Sequence, residues 1–335
     1  MIEGHGDDIY RYGGKVKYNF SSNICAPSSL GHITDYISAN KEILGSYPEP
    51  YPASLESALA ATLRLSADSV IVTNGATEAI YLIAHAYKQE VSAIVSPTFS
   101  EYEDACRLYN HSVLHIDTVE ALPPEARVVW LCNPCNPTGK VTDADLLKGI
   151  VHENPDKIFV IDQAYADYTT RRVLDPCEAV DTGNVLLLGS FTKRYSVPGL
   201  RIGYALGAAK LLTRVRACRM PWSVNAVAVA AARCLLSDTE SKVDASALHS
   251  EALRVAEALR NAGIMVQDTD CNFMLCRLPH GSAADLKEWL VDNHGILIRD
   301  ASNFHGLSRQ HFRVAVQTRE ADDLLIKAIK EWMSF

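Results

Sequence analysis

Short apolar runs alternate along the chain with segments whose apolar residues recur at helical spacing. Residues 70–73 (VIVT) form one such run, and residues 76–87 (ATEAIYLIAHAY) carry the period of a helix with one buried face. Further runs follow at 93–96 (AIVS), 128–132 (VVWLC), 158–161 (IFVI) and 185–188 (VLLL). Each is too short for a helix and lacks the alternation of a strand with one wet face. The pattern predicts a mostly parallel sheet covered on both sides by helices. Asn133, Asp162 and Ser190 close the last three runs at spacings of 29 and 28 residues. One strand–helix–strand unit takes about 30 residues. The three polar side chains are therefore predicted to meet at the carboxyl edge of one sheet, where α/β proteins bind ligands.

Beyond residue 224 the texture changes. Residues 226–236 and 246–262 read as long amphipathic helices, with shorter ones at 286–293 and 320–333. Short strands are predicted at 274–277, 296–298 and 313–316. This is the pattern of a smaller α+β unit. The chain divides on this reading into an N-terminal arm (1–35), a large domain (36–224) and a small C-terminal domain (225–335). No Gly/Ser/Pro-rich linker, internal repeat or low-complexity tract interrupts it.

Composition narrows the function. The 335 residues are 48% hydrophobic, with a formal charge of −8 and scattered basic residues, which argues against a nucleic-acid or anionic-membrane partner. No apolar run is long enough to span a bilayer, and the N-terminal residues lack the apolar core of a secretory signal. Nine cysteines without such a signal read as reduced thiols in the cytoplasm. Cys132 and Cys135 form a C-x-x-C with no second pair at zinc spacing, so they read as small apolar fillers. Nothing in the spacing sets out a metal site.

The chemistry centres on "SFTKRYSVPGLRIGYALG", Ser190 to Gly207. Lys193 stands at the end of a buried strand, where partial desolvation lowers an amine's pKa and frees it as a nucleophile. Ser190, Thr192 and Arg201 around it suit an oxyanion such as a phosphate. A nucleophilic lysine beside a phosphate site suggests pyridoxal 5'-phosphate (PLP) held as a Schiff base. Asp162 would then keep the cofactor's ring nitrogen protonated, though a turn aspartate after a strand is the simpler alternative. Tyr165 and Asn136, the latter in "NPCNPTGK", can reach the ring oxygen, and Phe99 in "SPTFSEY" can stack on the ring. In "TNGATEA" the backbone N–H groups of Ala76 and Thr77, after Gly75, open a helix and offer an anion site. Spacing alone does not choose among Thr73, Thr77 and Ser190 as phosphate donors. Ser190-Phe-Thr-Lys193 also matches S-x-x-K of penicillin-recognising acyl enzymes, but the required S-D-N and K-T-G are absent.

"NPCNPTGK", "VIDQAYADY" and "SFTKRYSVPGLRIGYALG", in that order, resemble the class I/II aminotransferases of PLP fold type I. The resemblance implies Lys193 as cofactor lysine, Asp162 at the ring nitrogen, and Asn136 and Tyr165 at the ring oxygen. It implies phosphate contacts from Gly75, Ala76, Thr77, Ser190, Thr192 and Arg201. The "HFRVAV" strand supplies Arg313 for a substrate carboxylate. A homodimer with shared active sites is implied, Tyr47 reaching the neighbour's cofactor phosphate. The N-terminal "NFSSNI" and the later "LIRDASNFHGLSRQHFRVAV" resemble the branch that decarboxylates L-threonine O-3-phosphate in cobalamin biosynthesis. Histidinol-phosphate aminotransferases are the alternative branch. The substrate contacts implied are His5, Asn23, Arg299 and Arg313, His5 and Arg299 taking the phosphate of a phosphorylated amino acid.

Overall fold

The computed structural model describes residues 6–24, 30–238 and 243–334. Its strands, in chain order, are β1 (Tyr18–Asn19), β2 (Val70–Thr73), β3 (Val91–Val95), β4 (Ser112–Ile116), β5 (Val128–Cys132), β6 (Ile158–Asp162) and β7 (Val185–Ser190). They continue with β8 (Gly203–Gly207), β9 (Met265–Val266), β10 (Phe273–Arg277), β11 (Ile296–Leu297), β12 (Arg299–Asp300) and β13 (His311–Ala315). Seven of them form one sheet in the order β2-β8-β7-β6-β5-β3-β4. All run parallel except β8, which is antiparallel to both neighbours. The expected α/β fold class is borne out.

Alternation along the strands decides which side chains can reach a common site. Val129, Leu131, Phe159, Ile161 and Leu187 point to one face, packing on helices that include Ala53–Leu63 and Ala144–Glu153. Trp130, Cys132, Val160, Leu186 and Leu188 point to the other, under helices Gly75–Ala86 and Glu101–Leu108. A strand's side-chain period is two. Asp162 and Ser190 continue this second series past the last apolar residue of their strands.

β12, β13, β10 and β9 form a separate antiparallel sheet. Its Met274, Cys276, Phe312 and Val314 pack on helices Ala245–Asn261, Ala283–His294 and Arg319–Trp332. The intervening Arg313 falls on the opposite face, toward the large sheet. The single strand expected at 296–298 is two: β11 pairs with β1, and β12 pairs with β13. β1 and β11 form a two-stranded sheet of their own, and the Ala315 N–H donates to Phe20 O at 3.0 Å, which ties the chain's N-terminal segment to the smaller sheet. Among the described residues no helix is long and apolar enough to cross a membrane.

Candidate active site

A cavity of about 410 Å³ opens at the carboxyl edge of the large sheet. Its floor comes from strand ends. β8 lies between β2 and β7, with Gly203 paired to both Thr73 and Ser190. The Gly75–Ala86 helix starts immediately above this point. A Cβ on Gly203 would stand 2.4 Å from Ala76 N and 2.6 Å from Gly75 C. Only glycine lets strand and helix start approach so closely.

Gly75 has φ +75°, and a Cβ there would meet Arg201 Nη2 at 2.5 Å. Gly75 thus backs the cradle, while Ala76, Thr77, Ser190, Thr192 and Arg201 line it. Arg201, itself in the left-handed region, donates to Pro198 O at 3.1 Å. Ser190 Oγ caps the short Phe191–Arg194 helix by accepting from Thr192 N at 3.2 Å. Thr73 is wholly buried, and its hydroxyl donates to Gly75 O at 2.8 Å. Of the three hydroxyls that spacing could not choose among, that leaves Thr77 and Ser190 on the wall.

Asp162 is buried at the end of β6. Its Oδ2 accepts from the Tyr102 hydroxyl at 2.8 Å and its Oδ1 from Ala164 N at 2.9 Å. Burial raises its pKa, against the pull of these donors and of Lys193. Tyr102, stacked on Trp130 with ring centroids 5.7 Å apart, was not singled out in the sequence. It lies three residues after Phe99, which lines the cavity and meets the Tyr102 ring edge-on at 5.9 Å.

Lys193 Nζ donates to Ser22 O at 2.8 Å and lies 5.6 Å from the Tyr165 ring centroid. Its pKa falls to about 8, because burial penalises the charge and Arg313 and Arg201 repel it more than Asp7 and Asp162 attract it. Tyr165 is buried, which pushes its phenol well above the usual value. Ser22 and Asp7, both on the cavity wall, are the N-terminal contributions that the motifs did not reveal.

Register places the two arginines. Arg299 and Arg313 are directly paired across β12 and β13, and both reach the cavity. They are 8% and 4% exposed, yet all their hydrogen-bond acceptors are neutral. Arg313 donates to Asn136 Oδ1 and Ser21 O. Arg299 donates to Asp300 O and to Asn303 Oδ1, the latter at 2.8 Å. Among the described residues neither has a carboxylate at ion-pair distance. Burial lowers each guanidinium pKa to about 10, and Arg299 pushes that of Arg313 further. Two buried cations without counter-ions are costly unless anions join them.

Asn136, whose oxygen is committed to Arg313, keeps its amide nitrogen as a donor. Its loop is stapled by Asn133, which exchanges two hydrogen bonds with the Thr142 backbone at 2.8 and 3.0 Å. Two expected site residues stand off the cavity wall. Asn23 is 0% exposed and off the cavity wall, its amide near the Tyr165 hydroxyl without a well-formed hydrogen bond. Tyr47 is 88% exposed and leans on Trp222, ring centroids 5.8 Å apart, away from this chain's own cavity. His5 lies outside the described residues.

PLP fits this set of residues. The cavity is of a size that takes small cofactors, and among the described residues the Arg313 Nε has no partner. Lys193 offers an amine, Asp162 a buried carboxylate for a protonated ring nitrogen, and the glycine-built helix start with Arg201 a phosphate seat.

The comparisons with known proteins agree with this geometry. The family model described as "Aminotransferase class I and II" matches residues 15–329. A threonine-phosphate decarboxylase from Salmonella typhimurium is 29% identical, covering 93% of this chain and 90% of its own. The crystal structure of L-threonine-O-3-phosphate decarboxylase from Porphyromonas gingivalis superposes with a TM-score of 0.92 at 34% identity, covering 95% of this chain and 100% of that one. The histidinol-phosphate aminotransferase from Clostridium acetobutylicum superposes with a TM-score of 0.83 at 25% identity, covering 94% and 98%.

Proposed function

The chain belongs to the class I and II aminotransferases, and on that premise we propose that it decarboxylates L-threonine O-3-phosphate to (R)-1-amino-2-propanol O-2-phosphate, in cobalamin biosynthesis. The observation that carries this reading is the Arg299–Arg313 pair, buried side by side and, among the described residues, without carboxylate partners. Threonine phosphate brings two anionic groups and one amine. Arg313 takes the carboxylate region and Arg299 the phosphate, each with a planar fork suited to oxyanions. On this reading His5 adds to the substrate contacts, whereas Asn23, expected to do the same, stands off the cavity wall beside the Tyr165 hydroxyl.

When bound, PLP supplies an aldehyde that condenses with amines and a ring that accepts the electron pair released at the substrate Cα. Asp162 holds a proton at the ring nitrogen, steadied by Tyr102 and Ala164 N. Lys193, with its pKa near 8, is partly neutral at physiological pH and able to capture the aldehyde. Asn136 and Tyr165 serve the ring oxygen, and Phe99 stacks on the ring. The arginines pose the substrate so that its Cα–carboxylate bond is the one that breaks. Carbon dioxide leaves, and a proton held at Lys193 Nζ takes its place on Cα.

Amino transfer from histidinol phosphate is the second reading. The whole-chain likeness to the Clostridium enzyme favours it. Histidinol phosphate carries a phosphate but no carboxylate, so it would leave one arginine to be met by the acceptor acid. The reading further takes the enzyme as a cytoplasmic homodimer with shared sites, Tyr47 reaching the partner's cofactor phosphate. It divides the chain into the arm 1–35, the large domain 36–224 and the small domain 225–335.

The test is direct. Holoenzyme is given threonine phosphate, and carbon dioxide release is measured beside transamination of histidinol phosphate with 2-oxoglutarate. Release of carbon dioxide is expected. Its absence, with transamination present, would transfer the assignment to the second reading.

A further inference from the structure

Away from the cavity floor, three side chains from distant parts of the chain converge at the outer edge of the large sheet. They are Glu103 in helix Glu101–Leu108, His115 in β4, and His305 in the segment after β12. One nitrogen or oxygen from each lies within 4.8 Å of the others. We propose that Glu103, His115 and His305 bind a divalent transition-metal ion of the zinc class.

The hydrogen bonds around His115 supply the argument. Ser96 Oγ lies 2.8 Å from His115 Nδ1 and donates to Ile94 O at 3.4 Å. In the tautomer a metal requires, Ser96 accepts from Nδ1–H and turns its own proton to the Ile94 carbonyl, which can only accept. In that tautomer the lone pair of His115 sits on Nε2, which faces Glu103 Oε2 at 3.4 Å. A lone pair and a carboxylate set at this distance are an arrangement that a cation between them favours. Two ligand atoms at about 2.1 Å from a tetrahedral ion are about 3.4 Å apart, which matches this separation.

The rest of the site fits the same ion. Arg107 occupies Glu103 Oε1 at 2.7 Å through its Nε, leaving Oε2 unclaimed by it. His115 and His305 stack with centroids 3.5 Å apart and planes 3° from parallel, a contact two imidazolium cations would not make. Parallel rings do not aim at one in-plane ion. His305 is exposed, however, and a turn about its side-chain torsions brings a nitrogen round. A gap of about 10 Å³, close to the volume of one water-sized sphere, is lined by Ser96, Glu103, His115, Asn303 and His305. Two histidines and a carboxylate leave a fourth position for water. Ser96 is a positioning residue that fixes the His115 tautomer.

The ion would fasten a segment that serves the active site. Asn303 accepts from Arg299 at 2.8 Å, and Phe304 lies 5.2 Å beneath the same guanidinium and lines the cavity. Bound metal would clamp this segment to the edge of the large sheet.

The test uses holoenzyme without an added histidine tag, stripped with a chelator and titrated with Zn²⁺ against a chromophoric competitor. One ion per chain is expected. Binding should disappear in His115→Ala and weaken at least about tenfold in His305→Ala, an exposed substitution that leaves folding intact. Ser96→Ala should weaken it by about 10–100-fold, the usual cost of losing such a support. His152→Ala, an exposed histidine elsewhere, should bind as the unaltered protein does. No saturable binding, equal binding by His305→Ala, or equal loss in His152→Ala would overturn the site.

Discussion

Gly203→Ala tests how the helix start is held against β8. The added Cβ would lie 2.4 Å from Ala76 N, whereas ordinary contact begins at 3.4 Å, so strand and helix must part by about 1 Å. Both clashing groups are backbone, and neither can swing aside. Overpacking of this kind costs about 1–3 kcal/mol of stability. The same shift carries the N–H groups of Ala76 and Thr77 away from the cofactor phosphate. A hydrogen bond to a charged group contributes about 1.5–3 kcal/mol, which is about 10–150-fold in a dissociation constant. The Kd for PLP should therefore rise by about 100-fold. Gly207→Ala is the control. In the same strand, its Cβ would meet Leu186 Cδ2 and Val185 O at 2.9 Å, far from the cavity. Both variants should melt several degrees lower, and only Gly203→Ala should lose affinity when apo-protein is titrated with PLP by visible absorbance. Unchanged affinity in Gly203→Ala, or matching losses in the two variants, would refute the reasoning.

Lys193 should react with aldehydes at a lower pH than any surface lysine. Its folded pKa of about 8 lies below the ordinary 10.5, so its positive charge burdens the apo-fold below pH 8 and the burden lifts as pH climbs toward 10.5. Reductive methylation of apo-protein, read by peptide mass, should show a midpoint for Lys193 near pH 8; a midpoint above 10 would contradict the desolvation argument. In holoenzyme, a visible band erased by borohydride should be absent from Lys193→Ala, and its persistence would place the cofactor on another lysine. Arg299→Ala should raise KM for threonine phosphate by about 30-fold or more, a buried charge pair being worth about 2–5 kcal/mol, with a smaller change in kcat; an unchanged KM would remove Arg299 from the phosphate site. Tyr47→Ala should weaken PLP binding about tenfold, one hydrogen bond to a charged group, while sedimentation still reports a dimer; a monomeric unaltered protein would remove the partner role of Tyr47.

What could be read in advance followed the character of each signal. The buried runs at 128–132, 158–161 and 185–188 announced a sheet because nothing but a two-sided core explains such strands, and their spacing brought Asp162 and Ser190 to one edge. β8 escaped notice for a physical reason. Gly203 and Gly207 bracket it, and glycine at both ends reads as a loop. Those glycines are required by the approaches of Ala76 on one side and Leu186 on the other. The feature that hides the strand is thus the feature that lets it fit. Tyr102 was hidden differently: an aromatic in the first turn of a helix is usually core, and only the fold aims its hydroxyl at Asp162. The arginines mark the limit of spacing arguments. Fourteen residues separate Arg299 from Arg313, which brings them near one pocket but says nothing of facing. The β12–β13 register puts them opposite each other, and the alternation that buries Phe312 and Val314 turns Arg313 to the cavity. Antiparallel register of this kind is set by the pairing and the turn between strands, so the charge density of the anion site belongs to the assembled sheet and to no single stretch of the chain.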